Sequence, residues 1–182
     1  MNIPKVVMQT CASRDKLTPQ MIGAMRTWED KNPGWDYELF DNNECIEFLK
    51  KHFDTDTLKA FNNLVPGAFK ADLFRYCYLY IKGGVYSDID NICLVPLNDF
   101  LLDDDTFVSV RDRAIAKQFM VYNAFMAVEK NHPVLKKAIE LTVQNALNSI
   151  YQDSGNLWVD ILDVSGPKCL RLIYQPKGFL NL

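Results

Sequence analysis

Residues 68–82, AFKADLFRYCYLYIK, constrain the fold more than any other stretch of the chain. Phe69, Leu73, Phe74, Tyr76, Cys77, Tyr78, Leu79, Tyr80 and Ile81 leave this helix no polar side, and a helix that is apolar all round belongs in an interior. Two charges ride on it, Asp72 and Arg75, three residues apart and therefore on one face. They need partners there, because an uncompensated buried charge is costly. Gly83 is placed to cap the helix, and Gly83 and Gly84 permit close backbone approach. Val85, Tyr86 and Ile89 then mark a buried strand that ends in two aspartates. Residues i and i+2 of a strand share a side, so Asp88 and Asp90 are expected to project together from the strand end. Paired carboxylates suit a hard cation such as Mg²⁺ or Mn²⁺. The plainer reading is a polar loop in which both are solvated.

Elements alternate on either side of this unit. Residues 3–10 read as a first strand ending in Gln9 and Thr10. Thr18-Pro19 marks a helix start, and Met21, Ile22, Met25 and Trp28 repeat at helical spacing. Asn32-Pro33-Gly34 is a turn, and Trp35, Tyr37 and Leu39, alternating with Asp36 and Glu38, predict a strand running towards Asp41. Asn42 or Asn43 is expected to cap a short helix, and another starts near Asp56 and stops before Pro66-Gly67. Residues 106–110 and 122–128 read as strands. Asn131-His132-Pro133 opens a long amphipathic helix, residues 155–164 are weakly helical, and Ser165-Gly166-Pro167 leads into a last helical turn. At 182 residues this pattern predicts a single α/β domain over 1–182, with a mainly parallel sheet flanked by helices. Ligands bind such sheets at the carboxyl ends of the strands, where Gln9, Thr10, Asp41, Asp88 and Asp90 fall.

Composition excludes several classes. A net charge of −3 and the lack of a basic run argue against nucleic-acid binding by phosphate neutralisation. Cys11, Cys45, Cys77, Cys93 and Cys169 are odd in number, scattered and without a C-x-x-C pair, which fits reduced thiols. No signal peptide or membrane-spanning run is seen, so a cytoplasmic location is expected. Asp103-Asp104-Asp105 reads as a solvated turn, His52 as a surface residue and His132 as a local structural residue at a helix start. No Gly-rich phosphate loop occurs.

Ala71-Asp72-Leu73-Phe74-Arg75-Tyr76, followed by Leu79-Tyr80, Gly83-Gly84-Val85-Tyr86 and Asp88-x-Asp90, resembles the signature of DXD-containing sugar transferases. The nearest group is glycosyltransferase family 32, which includes initiating mannosyltransferases and capsular polysaccharide enzymes. Ile3-Pro4-Lys5, Gln9-Thr10, Trp28, Asn32-Pro33-Gly34 and Tyr37 extend the match, as do the weaker Asn123-Ala124 and Gly166-Pro167. The resemblance implies a GT-A type fold, a nucleotide-diphosphate sugar donor, a glycan or other hydroxyl acceptor, and Mn²⁺ (or Mg²⁺). By it, Asp90 is a direct metal ligand, and Asp88 contacts the donor and reaches the metal directly or through water. Asp72 and Arg75 hold the transferred sugar and diphosphate, and Gln9, Thr10 and Asp41 line the nucleotide pocket. Gly84 and Tyr86 count with the donor-binding residues, and Asn123, Gly166 and Pro167 sit near the donor sugar or acceptor. The family retains anomeric configuration, often without a clear protein nucleophile, so no base is assigned.

Two departures stand out. Met8 and Cys11 occupy places where the family carries a histidine and a tryptophan. The family also supplies a late metal or phosphate ligand, often a histidine, and none follows His132. A fragment of a longer protein, a site completed differently, and an incomplete site all fit, the last as a non-catalytic sugar- or nucleotide-sugar-binding module. A phosphatase of the haloacid dehalogenase type also ends a strand in D-x-D. Its motif, however, lies near the amino terminus and is followed by threonine or valine where Ile92 stands.

Overall fold

The computed structural model describes residues 1–65, 67–112, 120–148 and 164–173. Strand β1 (Val6–Thr10) begins later than its apolar pattern implies, because Pro4 has no N–H to give a ladder. Ile3 is fully buried beside it. Helix α1 (Pro19–Lys31) starts as expected, with Thr18 accepting from the Met21 N–H at 3.2 Å. Strand β2 (Asp36–Phe40) leads into α2 (Asn42–His52). Asp41, rather than Asn42 or Asn43, caps α2: its Oδ1 accepts from the N–H groups of Asn43 and Glu44, and Glu44 reaches back to the Asp41 N–H. This reciprocal box satisfies donors that a lone asparagine cap would leave open.

Helix α3 (Thr55–Asn63) is capped by Asp54, and α4 (Gly67–Lys82) is the buried helix. After it come β3 (Gly84–Ser87), β4 (Phe107–Asp112), β5 (Met120–Val128), α5 (Pro133–Leu147) and α6 (Pro167–Ile173). His132 caps α5, its Nδ1 accepting from the Val134 N–H at 3.3 Å. Residues 155–163 of the expected weak helix lie outside the described residues. No described helix is long and apolar enough to cross a membrane.

The described strands form one sheet in the order β2-β1-β3-β5-β4. β1 pairs parallel with β2 and β3, and β5 runs antiparallel to both β3 and β4. Four strands thus point one way, and the α/β architecture expected from the alternating pattern is present. Alternation along the strands sorts the core onto two faces. Met8, Tyr86 and Met126 join α2, α3, α4 and α5 on one side. Val7, Val85 and Ala127 join Trp28 of α1 on the other, where Trp28 stacks on Phe125.

Candidate functional site

The junction of α4 and β3 sets the site. The Gly83 N–H closes α4 on the Leu79 carbonyl at 2.8 Å. Gly83 and Gly84 both take positive φ, 66° and 102°, which a side chain strongly disfavours. Space forbids one as well: a Cβ on Gly84 would lie 2.5 Å from Val6 Cγ1 and 2.7 Å from the Val6 carbonyl. The double glycine lets β3 drop against β1 and aims its carboxyl end back over α4.

One expectation changes here. Strand β3 ends at Ser87, ahead of both aspartates. The Asp88 N–H still continues the ladder to the Ala124 carbonyl at 2.9 Å, and the Asn91 N–H then closes a turn on the Asp88 carbonyl at 3.1 Å. Asp88 and Asp90 therefore come together through a turn rather than through strand alternation. Asn91 pins that turn, donating to Ser87 Oγ and to the Ala124 carbonyl and accepting from Trp28 Nε1.

Asp72, Arg75 and Tyr76 share one face of α4, and all three are nearly or fully excluded from solvent. The Arg75 guanidinium lies 4.2 Å from the Tyr86 ring centroid, a cation–π contact. Its Nη2 is 3.1 Å from Asp72 Oδ1 and 3.3 Å from Asp88 Oδ1. Its Nη1 donates to the Asn123 carbonyl at 2.6 Å and its Nε to the Ala71 carbonyl at 3.2 Å. Asp72 has two further donors: Oδ1 also accepts from Asn123 Nδ2 at 2.9 Å, and Oδ2 accepts from Ser165 Oγ at 2.7 Å. The Tyr76 hydroxyl donates to the Ser165 carbonyl and accepts from Asn123. Burial pushes the Asp72 carboxyl above its ordinary value, with Arg75 pulling the other way. Burial also opposes the Arg75 charge, but Tyr86, Asp88 and Asp72 outweigh it and hold the proton more firmly than usual.

A cleft of about 330 Å³ opens beside this cluster. Arg75, Tyr86, Asp88, Ile89 and Asp90 form one wall, and Thr10, Cys11, Ala12 and Ser13 after β1 form another. The first turns of α4 contribute Gly67, Ala68, Lys70 and Ala71. Lys16 and Lys70 add positive charge at its edges. Asp88 is half-exposed and receives the Tyr86 hydroxyl on Oδ1 at 2.6 Å. Among the described residues, no hydrogen bond or ion pair engages its Oδ2 or the exposed Asp90.

Of the residues singled out from sequence, Thr10, Arg75, Tyr86, Asp88 and Asp90 border the cleft. The others do not. Gln9 is fully buried, donating to the Asp88 carbonyl at 2.9 Å and accepting from the Tyr37 hydroxyl at 2.5 Å. Asp41 serves as the α2 cap, and Gly84 lies under Val6. Asp72 and Asn123 belong to the buried cluster, with Gly166 and Pro167 buried behind Ser165. Sequence reasoning passed over Ser165, Asn91, Lys16 and Lys70. Lys70 lies on the same helix as Asp72 and Arg75, but two and five residues away, so helical spacing did not group it with them.

The carboxylates fit a hard divalent cation in type, since both offer oxygen to the cleft. Among the described residues no group of three or more His, Cys, Asp or Glu side chains could hold a metal. Asp88 and Asp90 would thus supply part of a coordination shell, leaving the remainder to ligand oxygens or water.

The chain is similar to known proteins. A family model described as glycosyltransferase sugar-binding region containing DXD motif matches residues 18–108. An initiation-specific alpha-1,6-mannosyltransferase of Candida albicans is 31% identical over 91 residues, 49% of this chain and 24% of its own length. Inositol phosphoceramide mannosyltransferase 3 of Schizosaccharomyces pombe is 25% identical over 173 residues, 95% of this chain and 45% of its own. The chain thus spans less than half the length of either relative. The solved structure of PaToxG Glycosyltransferase shares the fold, with a TM-score of 0.74 at 18% identity, over 94% of this chain and 68% of that one.

Proposed function

The chain belongs to the glycosyltransferase family whose sugar-binding region contains a DXD motif, and from that premise we propose that it moves a sugar from a nucleotide-diphosphate donor to a hydroxyl acceptor. The observation that carries this reading is the state of Asp88 and Asp90. Both carboxylates border the cleft with oxygens that no described residue engages, while Arg75 beside them is held in place by five partners.

In this reading Asp88 and Asp90 are the residues that would hold Mn²⁺ or Mg²⁺ at the cleft. A divalent cation there stabilises the negative charge that develops on the departing diphosphate. Arg75 adds a fixed positive charge at the same end of the cleft, with its orientation already set before a donor arrives. Tyr86 holds Asp88 by its hydroxyl and lays its ring against the guanidinium. Lys16 and Lys70 offer further positive charge to the phosphates. Transfer with retention of anomeric configuration goes with the family reading, and no side chain is assigned as base. The mannosyltransferase relatives favour a hexose donor.

The test is a screen of nucleotide sugars with Mn²⁺, reading release of nucleoside diphosphate by hydrolysis or transfer, alongside Asp90→Ala. Release that requires Mn²⁺ and disappears in Asp90→Ala supports the proposal. Binding without turnover would replace it with a nucleotide-sugar-binding module. Turnover of a phosphatase substrate alone would reject both.

A further inference from the structure

Gln9 reaches the aspartate turn from the face of the sheet opposite the cleft. Resting on the donor reading above, we propose that Gln9, oriented by Tyr37, is a positioning residue: it holds the Asp88 peptide so that the Asp88 and Asp90 carboxylates stand ready for a divalent cation at the cleft.

Three observations carry it. First, Gln9 is out of a donor's reach. It is fully buried and does not border the cleft, whereas its neighbour Thr10 does. Gln9 shares its side of β1 with Val7, which packs with Val85 and Trp28 away from α4. Second, the Gln9 amide is used at both ends. Nε2 donates to the Asp88 carbonyl at 2.9 Å, and Oε1 accepts from the Tyr37 hydroxyl at 2.5 Å. A carbonyl only accepts, so the amide nitrogen has to face the turn and the amide oxygen Tyr37. Tyr37 stands on β2 and Asp88 follows β3, the two strands that flank β1. Third, Gln9 ties the turn to another element. The Asp88 carbonyl also accepts from the Asn91 N–H at 3.1 Å and from Ser87 Oγ at 3.3 Å, but both donors belong to the same stretch of chain as Asp88. The Asp88 N–H is bonded to Ala124 of β5. The peptide groups on either side of Asp88 are thus tied to separate strands, and the direction of its side chain follows. A group that holds a metal-binding carboxylate from behind changes metal affinity, by roughly 10- to 100-fold, without touching the ligand.

A nucleotide contact and a positioning role part at the metal. Mn²⁺ is titrated into the wild type, Gln9→Met and Tyr37→Phe with UDP or GDP present, and free Mn²⁺ is followed by its electron paramagnetic resonance signal. Nucleotide binding is then measured at saturating Mn²⁺. Positioning predicts that Gln9→Met weakens Mn²⁺ about tenfold and Tyr37→Phe about threefold. At saturating Mn²⁺, nucleotide binding returns to the wild-type value in both. Unchanged Mn²⁺ affinity in Gln9→Met, or a nucleotide loss that saturating Mn²⁺ does not repair, overturns the proposal. A second readout needs neither ligand: amide hydrogen exchange of the metal-free protein. Losing the Gln9 bond speeds exchange at the Asp88 and Asn91 N–H groups, while the amides of β1 and β2 exchange as in the wild type. Equal acceleration of all of them marks a general loosening of the fold and rejects the assignment. Should Gln9→Met not fold, Tyr37→Phe decides, since it removes one hydroxyl from a half-buried side chain; unchanged Mn²⁺ affinity there rejects the proposal. If the wild type binds no nucleotide at any Mn²⁺ concentration, the donor reading fails, while the Asn91 exchange still judges whether Gln9 holds the turn.

Discussion

Asp72 and Asp90 are the same residue type in opposite surroundings. Asp72 lies in the interior with three donors on its two oxygens, whereas Asp90 stands exposed at the cleft with no partner among the described residues. Asp88 is intermediate: half-exposed, tied on Oδ1 and, among the described residues, open on Oδ2. The contrast teaches what each half of the site does. Asp72 is oriented by neighbours from distant parts of the chain before any ligand arrives, whereas Asp90 meets the cleft without an orienting partner among the described residues. The Gly83-Gly84 turn joins the two halves by bringing the chain from the buried helix to the cleft.

The sharpest way to break this contrast is to remove the charge that the halves share. Arg75→Ala leaves Asp72 buried without its counter-ion, a loss of about 3–5 kcal/mol, and should lower Tm by roughly 10 °C. Calorimetry checks it, and a shift within 2 °C or so would show that the interior half does not depend on the pair. Asp90→Ala should behave oppositely. Its Tm should stay within about 2 °C of wild type, as for an exposed substitution, while Mn²⁺-dependent donor hydrolysis falls roughly 10²- to 10³-fold.

Gly84→Ala tests the joint. The positive φ and the clash with Val6 together should cost about 2–3 kcal/mol, seen as an earlier urea midpoint. Activity in the surviving folded fraction should also fall, because the Asp88 turn moves with β3.

The smallest effect is a pH slope. Burial raises the folded pKa of Asp72 above its ordinary 3.8. Folding therefore favours the protonated carboxyl, and that contribution is complete below 3.8 and fades as pH rises through the raised folded value. Urea midpoints measured from pH 3 upward should show this downward component in the wild type and lack it in Asp72→Asn. Equal slopes in the two proteins would mean that Asp72 is not the group responsible.

Much of the fold was legible from the chain. The Thr18-Pro19 start, the Asn32-Pro33-Gly34 turn, the His132 cap and the apolar α4 are local signals, written in neighbouring residues, and each appears where its pattern places it. The site was legible in part. Spacing placed Asp72 and Arg75 on one face, but it put Asp88 and Asp90 on a strand that in fact stops at Ser87. The cap of α2 went to Asp41 because an aspartate with Glu44 three residues on closes a reciprocal box, which weighs more than the two asparagines that follow it. Gln9, expected at the nucleotide, lies instead beneath the Asp88 turn, since β1 is the central neighbour of both β2 and β3 and buries its polar end residue.

The sequence by itself determined the helix–glycine–strand unit and the presence of paired aspartates after it, since helical apolarity and glycine's access to positive φ are properties of a few adjacent residues. Only the tertiary structure decided which carboxylates lie buried among donors and which border the cleft. Ser165 reaches Asp72 across 93 positions of chain, and Asn123 reaches it across 51. Burial and hydrogen-bond satisfaction belong to a side chain's surroundings, and those surroundings come together only when distant segments pack.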